Sequence, residues 1–183
     1  KIHKKLMISI ILPTYNRQAQ VLALTQKLLA QAWSDFELIL VDDTKVPISN
    51  EVWENWGTQV RYLHRGERLG VSSARNVGAE ASKGEYLIFL DDDDEVTEDW
   101  LPDFQTAIPD RADLLYCNMR MIKPTGEITL VSAAKNRRGI VIPGAWMIRK
   151  DVFQQVGGYD ERLKFAENTE LFFRLERLSL KIH

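Results

Sequence analysis

Tyr86-Leu87-Ile88-Phe89-Leu90-Asp91-Asp92-Asp93-Asp94-Glu95 joins an apolar run to five consecutive acids. Residues 86–90 read as a buried strand, and a buried strand cannot carry clustered carboxylates. The chain therefore emerges at Asp91 and sets several negative charges on one small patch. Like charges held a few ångströms apart raise one another's pKa unless a cation sits among them. Carboxylates are hard oxygen ligands, so a magnesium or manganese ion carrying a phosphate-bearing substrate suits such a patch. A solvated acidic loop or helix start is the plainer reading, because acids are favoured there too. The rest of the chain decides between the two.

Outward from this stretch, strand-like and helical patterns alternate. Strands are expected over 7–12, 36–41, 60–64 and 86–90. Helices are expected over 18–32, with Val21, Leu24, Leu28 and Leu29 at helical spacing, and over 71–81, where small residues permit close packing on a sheet. Alternation at these lengths predicts an α/β fold, a mainly parallel sheet with helices on both faces, whose ligands bind beyond the carboxyl ends of the strands. The second half changes character. A helix is expected over 100–108, a strand over 113–122 and, after the turn residues Pro124-Thr125-Gly126-Glu127, a returning strand over 128–131. A polar loop over 133–139, an apolar run over 145–148, a short helix capped by Asp151 and a last amphipathic helix over 169–178 follow.

A chain of 183 residues holds one sizeable core, and no repeat or linker divides it. A net charge of -2 and the lack of a basic stripe argue against nucleic acid as a partner. The apolar runs are too short for a transmembrane segment. Lys1-Ile2-His3-Lys4-Lys5 and the run behind it resemble a signal peptide, but Pro13-Thr14-Tyr15-Asn16 replaces a cleavage site, so a first core strand is expected. The lone Cys117 reads as a buried, reduced thiol, which suits a cytoplasmic location, with the inner face of a membrane as its extension. Leu180-Lys181-Ile182-His183 carries no terminating signal, and the expectation is a piece of a longer chain.

Polar groups follow the strands: Pro13-Thr14-Tyr15-Asn16-Arg17, then Asp42-Asp43, then the acidic cluster, with Gly70 and Ala74-Arg75-Asn76 at the helix before it. Each is weak alone. On one rim they describe a pocket with a ring-stacking tyrosine, hydrogen-bonding carboxylates and a cation-binding cluster, which suits a nucleoside diphosphate.

These motifs, in this order and followed by Gly157-Gly158-Tyr159-Asp160-Glu161, resemble the family 2 glycosyltransferases over nearly the whole chain. The resemblance implies a GT-A type, Rossmann-like fold, with a nucleotide-binding half (1–95) and a smaller mixed acceptor-binding half (96–183). It implies nucleotide-sugar contacts from Pro13, Tyr15, Arg17, Asp42, Asp43, Arg75, Asp91 and Asp92. Pro13 and Tyr15 would lie against the base, Asp43 would hydrogen-bond the uracil of a UDP-sugar, Asp91 would lie near the ribose, and Asp93, with Asp91 beside it, would hold Mn2+ or Mg2+. Arg75 supports the pocket, approaches phosphate or pairs with Asp42 or Asp43; Arg17 is a pocket residue or a solvated one near the helix start. Asp94 reads as a helix cap or solvated charge. The acceptor is expected to be a saccharide or lipid-linked hydroxyl, with Trp146 either stacking on it or packed in the core.

The family places its general base shortly after the Gly-Gly-Tyr-Asp-Glu segment, and the matching position is Asn168. An amide has no useful basicity near neutral pH. Asn168 is an inactivating change, or Glu167 or Glu170 takes over, or the register differs by one; an ordinary N-cap is the structural reading. Two rivals follow: a nucleotide-sugar-binding module that does not turn over, and a sugar-nucleotide nucleotidyltransferase, which the missing glycine-rich loop after the first strand disfavours.

Overall fold

In β1 (Ile8–Thr14), Ile8, Ile10 and Leu12 point to one face while Ser9 and Ile11 point to the other, and both faces are fully buried. The computed structural model describes residues 7–108, 111–132 and 142–183. In chain order β1 is followed by α1 (Gln18–Leu29), β2 (Phe36–Asp42), α2 (Asn50–Trp53), a 3-10 turn (Glu54–Gln59), β3 (Val60–His64), α3 (Val71–Ala81) and β4 (Tyr86–Phe89). Then come α4 (Trp100–Ala107), β5 (Leu114–Tyr116), β6 (Met119–Ile122), β7 (Ile128–Val131), β8 (Trp146–Arg149), α5 (Lys150–Gln155) and α6 (Glu167–Leu175).

The main sheet runs β3-β2-β1-β4-β8-β5, with β6 and β7 paired separately as a two-stranded hairpin. β1 is parallel to both β2 and β4, and β2 to β3. α1 and α4 cover the face of Ile8, Ile10 and Leu12; α3, α5 and α6 cover the face of Ile11, Leu87 and Phe89. The small residues of α3 serve the close packing expected of them, since a Cβ on Gly78 would stand 2.5 Å from Ile11 Cγ2. The strand order reverses beside β1, so the carboxyl ends of β1 and β4 form the crevice where such sheets bind ligands. Pro13 fits inside a central strand because β1 pairs with β4 only as far as Ile11, so no ladder bond on that side is lost.

The departures from expectation lie in the second half. The single strand expected over 113–122 breaks at Cys117 and Asn118 into β5 and β6, which belong to different sheets. The apolar run 145–148 becomes β8, antiparallel to β4 and β5 and inserted between them. Trp146 packs on Phe89 in the core. Asp151 is not the cap of α5: Arg149 holds that place, and Asp151 accepts the Val152 N–H within the first turn. Asn168 likewise lies inside α6, whose N-cap is the left-handed Ala166. Cys117 is half-buried and its thiol is pushed up to about 11 by burial. The polar loop expected over 133–139 lies outside the described residues. No helix among the described residues is long and apolar enough to cross a membrane.

Candidate active site

Strand alternation sends Asp42 and Asp43 in opposite directions at the end of β2. Asp42 is fully buried; its Oδ1 accepts the Thr44 N–H at 2.8 Å and its Oδ2 the Tyr62 hydroxyl at 2.7 Å. The pocket contact expected of Asp42 is therefore replaced by an internal one that shapes the turn. Asp43 is gripped by Arg65, whose Nε and Nη2 donate to its two oxygens at 2.6 and 2.8 Å. Arg75 pairs with neither, contrary to one of the three expectations for it. Pro13 is buried in β1, while Tyr15, just beyond the strand end, is 39% exposed with the Arg68 guanidinium 4.9 Å from its ring centre.

The acidic stretch is a tight turn directly after β4. Asp94 Oδ2 accepts the Asp91 N–H at 3.0 Å, and the Asp94 N–H returns to the Asp91 carbonyl at 3.1 Å. Two arginines answer the repulsion among these acids. Arg17 Nη1 donates to Asp92 Oδ1 at 2.9 Å and to Asp93 Oδ2 at 2.6 Å, so Arg17 is paired rather than merely solvated. Arg75 Nη2 donates to Asp91 Oδ1 at 2.7 Å. Thr14 adds its hydroxyl to Asp92 Oδ2 at 2.7 Å, binding the end of β1 to the turn. Asp94 pairs with neither arginine, and burial pushes its carboxyl up to about 6. Burial also raises Asp91, with Arg75 opposing it.

Arg75 joins the two halves of the chain. It is 1% exposed, its guanidinium lies 5.1 Å from the Tyr159 ring centre, and its Nη1 donates to Glu167 Oε1 at 2.8 Å. Asn76 of α3 holds the Gly-Gly-Tyr segment beside it, donating to the Tyr159 carbonyl and accepting the Tyr159 N–H, both at 2.9 Å. Gly158 has φ 70°, and a Cβ there would stand 2.7 Å from Asn76 Oδ1, so this approach requires glycine. The Tyr159 hydroxyl then donates to Asn168 Oδ1 at 2.9 Å, and Asn168 Nδ2 donates to Glu167 Oε1 at 3.3 Å. Asn168 is a bridge between a phenol and a carboxylate, with both ends of its amide engaged.

Among the described residues no three His, Cys, Asp or Glu side chains converge on one point. The donor chemistry still suits a divalent ion held with substrate. Asp93 is 60% exposed and spends one oxygen on the exposed Arg17, and magnesium is commonly bound by one or two carboxylates with phosphate oxygens completing its shell.

The signature of glycosyl transferase family 2 matches residues 9–157. The chain belongs to this family. An uncharacterized glycosyltransferase of Haemophilus influenzae is 32% identical over 183 residues, spanning 92% of this chain and 62% of that protein. Streptococcus pneumoniae glycosyltransferase GlyG is 31% identical over 116 residues, which is 61% of this chain and 38% of GlyG. The chain thus spans 62% or less of the length of such relatives. Its GT-A type fold is similar to that of S. aureus TarS 1-349 in complex with UDP-GlcNAc, at TM-score 0.78 and 22% identity over 93% of this chain and 53% of TarS 1-349. The Pyrobaculum calidifontis mannosyltransferase PcManGT, in complex with GDP-Man and Mn2+, superposes at TM-score 0.73 and 14% identity, over 96% of this chain and 53% of that one.

Sequence reasoning missed Arg65 and the part played by Asn76. Arg65 directly follows β3, whose His64 pairs with Asp42, but the sequence alone did not say which strands lie side by side. Asn76 had no signal, because its partners lie eighty-odd residues away.

Proposed function

We propose that this chain is the catalytic part of a metal-dependent inverting glycosyltransferase that moves a sugar from a nucleotide donor, a UDP-sugar, to an acceptor hydroxyl in polysaccharide or glycoconjugate synthesis. The observation that carries this reading is the convergence of Tyr15, Asp43 and the Asp91–Asp94 turn on the rim where the strand order reverses, with Glu167 tied to that turn through Arg75. The UDP-GlcNAc of TarS and the GDP-Man and Mn2+ of PcManGT support a nucleotide-sugar donor and a divalent cation. Residues 1–95 would hold the donor and 96–183 the acceptor, a saccharide or a lipid-linked sugar.

In this reading Tyr15 stacks on the base, Asp43 accepts its ring N–H, and Asp91 faces the ribose. Asp93, with Asp91, holds Mn2+ or Mg2+, which when bound supplies Lewis-acid charge for the departing diphosphate. The acceptor oxygen attacks the anomeric carbon as the bond from that carbon to the diphosphate oxygen breaks. The bonding pair leaves with UDP, the sugar inverts, and the hydroxyl proton passes to a carboxylate. Glu167 is the nearest acid to the expected base position; Arg75 fixes its Oε1, leaving Oε2 for the proton. General-base help of this kind is worth about 10²–10⁴-fold.

Asn168 favours a second reading, a nucleotide-sugar-binding module with impaired turnover, because its amide stands where the base is expected and cannot accept a proton. Titration calorimetry with UDP, with and without Mn2+, paired with a UDP-sugar hydrolysis assay separates the two. Metal-dependent UDP binding with hydrolysis supports the enzyme, and binding alone supports the module. Asp93→Ala should abolish the gain in UDP affinity that Mn2+ provides; an unchanged gain refutes the assignment of the acidic turn.

A further inference from the structure

The connection between β3 and α3 touches both groups assigned above to the nucleobase. Leu69 donates its backbone N–H to Asp43 Oδ2 at 3.0 Å, and the Arg68 guanidinium lies 4.9 Å from the Tyr15 ring centre. The Tyr15 ring, 39% exposed, already carries a planar cation, and Asp43 is only 4% exposed. At the root of the connection, Arg65 holds both oxygens of Asp43 and donates from Nη1 to Ser73 Oγ at 3.0 Å. The outer part is lightly held. Gly66 (φ 73°) and Gly70 (φ 95°) bracket it, both in left-handed backbone that glycine adopts without strain, and Leu69 between them is 48% exposed.

We infer that residues 66–70 are a specificity element that stands in for the nucleobase in the free protein and is exchanged for it when the donor binds. This rests on the donor-site reading above. Each contact of the element mirrors one that a uracil would make. The flat Arg68 guanidinium lies against the ring on which the base stacks. The Leu69 N–H fills a lone pair of Asp43 that the ring N–H of uracil would take. Exchange is donor for donor, so uracil leaves the buried carboxylate as well satisfied as before. Cytosine presents an unprotonated ring nitrogen at that edge, so the same exchange would set a lone pair against a buried carboxylate and leave it short of a donor. Arg65 takes no part in the exchange; it is a positioning residue that keeps Asp43 aimed at the vacated space.

The test uses the whole chain with uridine, UDP and CDP. By titration calorimetry, Arg68→Ala should bind uridine and UDP about two- to fivefold more tightly than the wild type, the range of an exposed cation–π contact. CDP should bind about tenfold or more weakly than UDP in both proteins. Hydrogen exchange of the peptide spanning 66–70 should become faster on saturation with UDP, because the Leu69 N–H loses its acceptor. Unchanged or weaker binding by Arg68→Ala, CDP binding as tight as UDP, or unchanged or slower exchange overturns the exchange mechanism while leaving the donor site standing. Failure of the wild type to bind UDP at all overturns the donor-site reading, and this inference with it.

Discussion

Arg75→Met removes the guanidinium that ties the acidic turn to α6 while keeping an unbranched stem over Tyr159. Two charge-assisted hydrogen bonds disappear, to Asp91 at 2.7 Å and to Glu167 at 2.8 Å. Such bonds are each worth about 1.5–3 kcal/mol, but the two ends are not equal. Asp91 is 36% exposed at its side chain, so water recovers most of its loss; Glu167 is 13% exposed and is left charged and poorly solvated. The expected destabilisation is therefore about 3 kcal/mol, at the low end for breaking a buried pair. For a domain of this size each kcal/mol moves the melting temperature by about 2–4 °C, so the midpoint should fall by about 6–12 °C in a thermal melt followed by circular dichroism. The stranded charge at Glu167 is separately testable. Adding Glu167→Gln to Arg75→Met should restore about 1–2 kcal/mol, whereas Glu167→Gln alone should destabilise, since it weakens an intact pair. A drop below about 2 °C for Arg75→Met, or simple additivity in the double variant, would refute this account of what joins the two halves.

Asp94→Asn should raise the melting temperature at pH 7.5 and leave it unchanged near pH 3. The folded carboxyl sits at about 6 against an ordinary 3.8, so its contribution is present below 3.8 and is lost as pH rises through 6; an asparagine still accepts the Asp91 N–H and removes that slope. If residue 168 occupies the base position, Asn168→Asp should increase UDP-sugar hydrolysis or transfer by at least about tenfold, because a carboxylate there accepts the proton that the amide cannot. No gain, with activity lost in Glu167→Gln, would assign the base to Glu167. Gly84→Ala should destabilise by about 1–3 kcal/mol, measured by urea denaturation. Its Cβ would stand 2.6 Å from Ser9 N and 2.9 Å from Met7 O, backbone atoms at the start of β1 that cannot give way.

The first half was legible because β1, β2 and β4 are short, mainly apolar runs that end abruptly in polar residues. β1, β2 and β4 fall within two residues of their expected bounds for that reason, and β3 matches them. α2 was not legible: residues 50–53 offer no repeat of apolar spacing, and only a single turn forms. The second half hid its topology because β5 and β8 are three and four residues long, too short to show direction, and because residues 113–122 look continuous although the chain leaves the main sheet after Tyr116. The candidate site divides in the same way. Residue types and strand ends pointed to Tyr15, Asp43 and the acidic turn. Which cation answers which carboxylate depended on side-chain direction: Asp42 turns inward, Asp43 meets Arg65, and Arg75 reaches Asp91 and Glu167 instead.

The insertion of β8 beside β4 has a consequence for how the chain is made. Synthesis completes β3, β2, β1 and β4 before the strand that closes the far side of β4 exists. Until Trp146–Arg149 emerges, Tyr86–Phe89 presents unpaired N–H and C=O groups on an all-apolar strand, the type of edge that invites pairing with another chain. A nascent or prematurely ended chain that stops before residue 146 is thus aggregation-prone however well its first four strands pair. The residues read as the acceptor side thus supply the strand that pairs the open side of β4.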